Sequence, residues 1–430
     1  MPALEHVEDL LDYLNSSPTA SAAVSKAAEK LENSGFRALR EDGDWDLRPG
    51  SRFYTVRSSS SIIAGTVGSE PLEKAGCRLV GSHTDSPGFR IKPSAERKVE
   101  GINVLGIEVY GGPILATWFD RDLSLAGSLA VLKNGRVGRV PFSLEKPLFR
   151  IATPAIHMER NINKEGFKID PEKNTPLLFS TSGAGLEDVL SLACESAGVK
   201  RDSVKGWSLQ VWDPQPAVTG GMDDDFIFSG RIDNLSMCHA ALEALLACGE
   251  PQPSTSLICL FNSEEVGSRT LNGAASSFLD SVLERLAGSR ESYFRCIGRS
   301  IQVSADGAHA VHPNYAGKHD PGCRPVLNGG PVIKVNAKER YTSNDLTTAY
   351  FLTCAEKCGV EVQYFVSRND MPCGSTIGPI TSARTGIKSV DAGNPMLSMH
   401  SVRETAGTSD HADMIKVLTE HLRGRTEITD

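Results

Sequence analysis

The sequence predicts an α/β fold built from both ends of the chain and interrupted by a β-rich insertion. Three observations carry this. Helical and strand-like segments alternate from Thr219 onward, an antiparallel texture fills residues 94–222, and acids and histidines recur at the ends of apolar runs. A chain of 430 residues also exceeds one ordinary core, so a second domain or a large insertion is expected.

Residues 4–33 read as two short helices. Leu10, Leu11 and Leu14 form one apolar stripe, and an alanine-rich stretch after Pro18 ends near Gly35. Strands are expected at 52–56, 61–66 and 77–80. Between 94 and 222, residues 101–110 alternate, and the segments 125–132 and 136–144 flank Lys133-Asn134-Gly135, a hairpin turn. Further β-type segments surround Trp207 and Trp212. The run Asp213-Pro-Gln-Pro with Gly220 and Gly221 reads as a linker. Beyond it, 235–248 has helical spacing, and 255–261, 300–305, 331–335, 361–366 and 387–390 are short buried-strand candidates. The expected domains are therefore 1–93 plus 223–430, and an inserted 94–222.

Composition narrows the classes. At 40% apolar, 23% charged and 6% aromatic, the chain matches globular proteins and not disordered, fibrous or membrane ones. Its 45 basic and 53 acidic residues give a net charge of -8, with no basic field for nucleic acid. MPALEHVEDLLDYLN has neither the basic start nor the apolar core of a secretory signal, and no window of eighteen apolar residues would span a bilayer. The ten scattered cysteines form no close CxxC pair and read as buried free thiols in a reducing compartment, which makes the cytoplasm the expected location.

The chemistry gathers at strand ends. The run 77–80 leads into His83 and Asp85, 255–261 into Glu264 and Glu265, 300–305 into Asp306, and 387–390 through a Gly/Pro loop to His400. Asp233 precedes the helix near Leu235. Ligands of open α/β sheets bind outside the carboxyl ends of strands, so these groups are expected to converge in one crevice. Each has a plainer reading: His83 as a loop histidine, Asp233 as a helix cap, the glutamate pair as solvated acids, Asp306 as a turn residue before Gly307, His400 as structural. Jointly, histidines and carboxylates in this placement suit a dinuclear zinc centre.

The strings GSHTDSPGFRIKP, RIDNLSM, FNSEEVGS, SADGAHAVHPNY, GPVIKVN, RNDMPCGSTIGPI and SMHSVRE closely resemble segments of the aspartyl aminopeptidases, a family of cytosolic dinuclear zinc exopeptidases; AIHMERNIN extends the likeness into the insertion. The resemblance implies a three-layer α/β metallopeptidase domain carrying a β-rich dimerisation domain. It implies two zinc ions per subunit, with His83 and Asp306 on one, Glu265 and His400 on the other, and Asp233 bridging both. Glu264 would be the general base and would, with Asp306, border the substrate. Asp85 would orient His83, and Tyr341 would hydrogen-bond the developing oxyanion.

The same resemblance implies that Lys334 faces the acidic side chain of an N-terminal Asp or Glu and that His309 is a further substrate contact. His157 would reach a neighbouring subunit's site within a dodecamer built from dimers. Read without the family, Lys334 is a strand lysine pointing to solvent. Two alternatives remain at this stage: a dinuclear zinc aminopeptidase of broad or neutral specificity, and a catalytically silent assembly protein keeping zinc for structure. The intact Glu264 argues against the second. A cysteine or serine nucleophile in MPCGSTIG lacks a GxSxG elbow and a histidine partner, so that stretch is read as a tight loop.

Overall fold

The structure, a computed structural model, describes residues 2–428. The chain divides into two units: Met1–Asp85 with Ala217–Met399 and Glu404–Asp430, and Ser86–Pro216 with His400–Arg403.

The first unit is organised by a nine-stranded sheet among the described residues. From one edge run Arg37–Leu39, Arg52–Arg57, Ser61–Thr66, Thr255–Phe261 and Cys77–His83. Ile301–Ala305, Lys388–Gly393, Val332–Val335 and Gln363–Val366 complete it. The strand residues alternate between two cores, as a sheet covered on both faces requires. Ile62, Val80, Ile258 and Leu260 join one core with the helices Ala20–Asn33, Ile232–Ala247, Asp345–Cys358 and Thr408–Arg423. Ile63, Leu79, Leu257 and Cys259 join the other with Phe278–Ala287 and Arg290–Arg299. Helix, sheet, helix is the three-layer α/β arrangement expected.

The central strands Thr255–Phe261, Cys77–His83, Ile301–Ala305 and Lys388–Gly393 are mutually parallel, so their carboxyl ends share one edge. The strand at Cys77 runs three residues past the predicted end at 80, pairing His83 with Phe261. His83 is thereby a strand residue and not a loop residue, and its ring takes a position fixed by the pleat. A five-stranded sheet of Val218–Gly220, Phe226–Ser229, Glu404–Gly407, Pro395–Leu397 and Ala308–His309 completes this unit's strands.

The second unit has a six-stranded sheet ordered Arg136–Ser143, Ser124–Lys133, Val204–Trp212, Gly88–Val99, Ile102–Tyr110 and Leu177–Ser180. Every pairing in it is antiparallel. The hairpin turns at Asn134 and Gly135, both with positive φ, which that two-residue turn requires. Gly88–Val99 pairs within this sheet, so the unit starts at 86 where the sequence suggested 94. Val218–Gly220 pairs within the first unit, so the chain returns at 217 where the sequence suggested 223. A helix, Leu186–Ala197, packs Val189 and Leu190 into this core, which the β-rich reading did not anticipate.

All ten cysteines are free, seven of them buried. Among the described residues no helix is long and apolar enough to cross a membrane.

Candidate metal centre

Three parallel strands deliver the centre of the first unit. His83 ends one strand, Asp306 follows Ala305 at the end of the next, and Glu264 and Glu265 form a short 3-10 turn after Phe261. Asp233 sits in the irregular first turn of the helix Ile232–Ala247. The nominal N-cap, Arg231, makes no side-chain cap, and Asp233 and Asn234 both depart from helical geometry. The Asp233 N–H donates to the buried Glu404 carboxylate at 3.0 Å. The neighbouring Asn234 amide donates to Ser82 Oγ at 2.9 Å and to the Ala305 carbonyl at 3.0 Å, tying the helix start to two strands.

His83, Asp233 and Asp306 are all buried, and their ligand atoms lie within 4.8 Å of one another. His83 Nε2 is 3.4 Å from Asp233 Oδ1 and 3.4 Å from Asp306 Oδ2. Two ligand atoms on a tetrahedral zinc, each at about 2.0–2.1 Å, are separated by about 3.3–3.4 Å. The spacing therefore fits the edges of such a site. His83, Glu264 and Glu265 form a second overlapping group of the same span. One imidazole and several carboxylates form a mixed nitrogen and oxygen donor set that suits zinc.

Asp85 organises the far side of the centre. Its backbone carbonyl lies 3.0 Å from His83 Nδ1, which fixes the ring so that Nε2 points to the carboxylates; its own carboxylate is 3.6 Å from Nδ1. That carboxylate instead accepts the N–H groups of Glu264 at 3.1 Å and Glu265 at 3.2 Å, holding the acidic turn in place.

The charges interact strongly. Burial works to depress the His83 imidazole, but Asp233, Asp306 and Asp85 outweigh it and hold it well above its usual value. Burial pushes the Glu264 carboxyl up to about 7; His83 opposes this, and the neighbouring aspartates add to it. A carboxyl poised there suits proton transfer near neutrality. Asp306 is held below the usual carboxylate range, because Lys334 and His83 overcome the cost of burial.

Lys334 is buried, contrary to its solvent-facing reading. Its ammonium donates to Asp306 Oδ1 at 2.7 Å and to the Gly307 carbonyl at 3.1 Å, and lies 5.2 Å from the ring centre of the buried Tyr341. Burial raises the Tyr341 phenol. His309 is exposed, stacks edge-on to Phe365 at 5.5 Å, and lines a cavity of about 260 Å³ with Lys318 and Arg368. Gly393 backs Asp306 so closely that a Cβ there would lie 1.8 Å from the Asp306 carbonyl oxygen.

Two predicted residues belong to the second unit. His157 is exposed in a turn. His400 has a positive φ, and its Nδ1 lies 3.0 Å from the Gly112 carbonyl, so that Nε2 points away from that carbonyl. Asn234, Glu404 and Cys238, whose Sγ donates to the His83 carbonyl at 2.9 Å, escaped the sequence reading. Adjacency to Asp233 was the only signal for Asn234. Glu404 looked like any acid at a strand start.

Known proteins resemble this chain along almost its whole length. Residues 13–421 match the family described as aminopeptidase I zinc metalloprotease (M18). A probable M18 family aminopeptidase 2 of Stutzerimonas stutzeri is 43% identical over 416 residues, covering 96% of each chain. Its counterpart in Pseudomonas putida is 44% identical over 423 residues, covering 97% of each. Among solved structures, the cryo-EM structure of the Ape4 and Nbr1 complex aligns with a TM-score of 0.95 at 36% identity, covering 100% of this chain and 88% of that one. The S. cerevisiae mApe1 dodecamer aligns at 0.85 and 27% identity, covering 97% of each. The strand-end cluster of His83, Asp233, Asp306 and the Glu264–Glu265 turn thus sits in a chain that belongs to the M18 family of zinc aminopeptidases.

Proposed function

We propose that this M18 aminopeptidase removes N-terminal Asp or Glu from peptides with two zinc ions per subunit. His83 and Asp306 would hold one ion, Glu265 and His400 the other, and Asp233 would bridge them. When bound, the ions supply activation of the attacking water and polarisation of the scissile carbonyl. Glu264 carries the proton from that water to the leaving amine. Tyr341 donates to the developing oxyanion, and Asp85 holds Glu264 and Glu265 by their main-chain N–H groups while its carbonyl aligns His83.

The buried ammonium of Lys334 carries the specificity reading. It has three N–H donors, and among the described residues two acceptors, Asp306 and Gly307, meet it. A third donor thus remains to receive a substrate carboxylate beside the centre. A substrate carboxylate placed there would gain a charge-assisted hydrogen bond that a neutral side chain cannot make, which favours acidic residues. His309 would contact the substrate from its cavity, and His157 would do so from a neighbouring subunit. The second unit would serve as the dimerisation surface of a dodecamer, the assembly named for the S. cerevisiae relative. Ten unbridged thiols support a cytoplasmic setting.

The competing reading, broad or neutral specificity, takes Lys334 as fully engaged by Asp306. Initial rates on Asp-, Glu-, Leu- and Arg-aminoacyl amides, with chelator and with zinc restored, separate the two. Chelator-sensitive cleavage favouring Asp and Glu is expected. Preference for Leu would keep the metal centre and reject the acidic specificity. Loss of all metal-dependent cleavage would favour the silent assembly protein.

A further inference from the structure

The amino edge of the nine-stranded sheet, opposite the metal centre, carries a second polar cavity of about 560 Å³. The starts of Cys77–His83 and Lys388–Gly393 border it, together with the last turn of Arg290–Arg299. Lys74, Arg78, Arg295, Arg299 and Lys388 all line it, against one carboxylate, Glu427. This is a positive pocket in a chain whose net charge is -8.

Ordinary surface lysines and arginines would need no further account. Two observations set this cluster apart. Arg78 is 5% exposed, and its guanidinium Nη1 is held by the Arg299 carbonyl at 3.2 Å, while its Nε has no hydrogen-bond partner among the described residues. Ser254, also buried and lining the same cavity, has an Oγ likewise without a partner among the described residues. Gly424 presses against both: a Cβ on it would lie 2.4 Å from Ser254 Oγ and 3.6 Å from Arg78 Cγ. Buried polar groups are normally satisfied, and leaving them unmade is costly. The partnerless Nε of a buried guanidinium and a partnerless buried hydroxyl, ringed by four more cations, form the lining expected of an anion site. Phe294, 55% exposed, adds an aromatic face to the rim.

We propose that this cavity binds a small anion bearing several phosphate charges, with Arg78 and Ser254 at its floor and Lys74, Arg295, Arg299 and Lys388 around its wall. The volume accommodates such a ligand, and planar guanidinium groups match phosphate oxygens in paired hydrogen bonds. The site is separate from the metal centre: Arg78 and His83 share one strand but stand five residues apart, about 16 Å along it. It is therefore an accessory site whose occupancy does not block the centre.

The test is isothermal titration calorimetry on the assembled wild-type protein with tripolyphosphate, ATP and sulfate at one fixed ionic strength. Saturable tripolyphosphate binding is expected, weakened at least about tenfold by the double variant Lys74→Ala/Arg295→Ala, both changes being at exposed positions. Hydrolysis of an aminoacyl amide without added anion should be unchanged in that variant, which also shows that it has folded. The single charge reversal Arg295→Glu gives a second, independent reading and should weaken binding as much. ATP binding more tightly than tripolyphosphate would support a nucleotide resting on Phe294, whereas equal affinity would support a bare polyphosphate. No saturable binding, sulfate binding as tightly as tripolyphosphate, or equal affinity in wild type and variants would overturn the proposal.

Discussion

The ammonium of Lys334 lies 2.7 Å from Oδ1 of Asp306, and only 3% of the lysine side chain meets solvent. One lysine thus neutralises a proposed metal ligand and is, in the proposed function, also the group that receives a substrate's acidic side chain. Its replacement should affect two measurable quantities.

Lys334→Gln is expected to lower the ratio of kcat/KM for Asp-amide over Leu-amide by at least about tenfold, the lower end of what a hydrogen bond to a charged group contributes. Lys334→Arg should restore part of it, since the charge survives with altered geometry. An unchanged ratio in Lys334→Gln would leave the lysine as a partner of Asp306 alone and remove the basis for acidic specificity.

Glu264→Gln keeps the shape of the turn that Asp85 holds through main-chain N–H groups, and removes only the proposed proton carrier. We expect kcat to fall by about 10²–10⁴ with zinc content, measured by elemental analysis, unchanged. Equal rates in the two proteins would dismiss Glu264 as the base.

Gly393→Ala should act on the metal and not on the substrate. A Cβ 1.8 Å from the Asp306 carbonyl oxygen forces that backbone to shift and carries a proposed ligand out of place. Zinc affinity, followed by competition with a chelator, should weaken by about 10–100-fold. Affinity equal to wild type would mean that the strand end adjusts freely.

Stability should depend on His421. It is buried between the Leu79 carbonyl, 2.9 Å from Nε2, and the Tyr350 hydroxyl, 3.0 Å from Nδ1, and burial pushes its imidazole down to about 3. The folded value lies below the unfolded one of about 6.5, so the unfolded chain takes up more protons between those values. Stability is thus retained above about pH 6.5 and lost as pH falls from there toward 3. His421→Gln should flatten the curve in that window by about 1.4 kcal/mol per pH unit relative to wild type, read from denaturant unfolding at stepped pH. Parallel curves would refute the assignment.

The alternation of segments after Thr219 was enough to foresee an α/β sheet with helices on its faces, because buried parallel strands are written as short apolar runs between helices. The acids at strand ends were visible for the same reason: a polar residue directly after such a run has nowhere to go but the sheet edge. Other features depend on packing across distant segments. Asn234 matters because Ser82 and Ala305 meet it, and nothing local in RIDNLSM announces those partners. Lys334 looked solvent-bound because its carboxylate partner lies 28 residues away in sequence. The helix Leu186–Ala197 was overlooked among surrounding strand-like segments, although Asp188 in its first turn, whose carboxylate accepts the Gly185 N–H at 2.7 Å, is a local signal.

The short run His400–Arg403 makes the insertion something other than a portable cassette. The His400 carbonyl receives the Ile114 N–H at 2.9 Å, Val402 N–H donates to Thr117 Oγ1 at 3.0 Å, and Arg403 donates to the Pro216 carbonyl at 2.8 Å. Excising residues 86–216 would strip His400, a proposed zinc ligand, together with Val402 and Arg403, of every one of these anchors. Descent within such a lineage should therefore reshape the insertion by drift and loop growth while keeping it, and a minimal version lacking it should be inert.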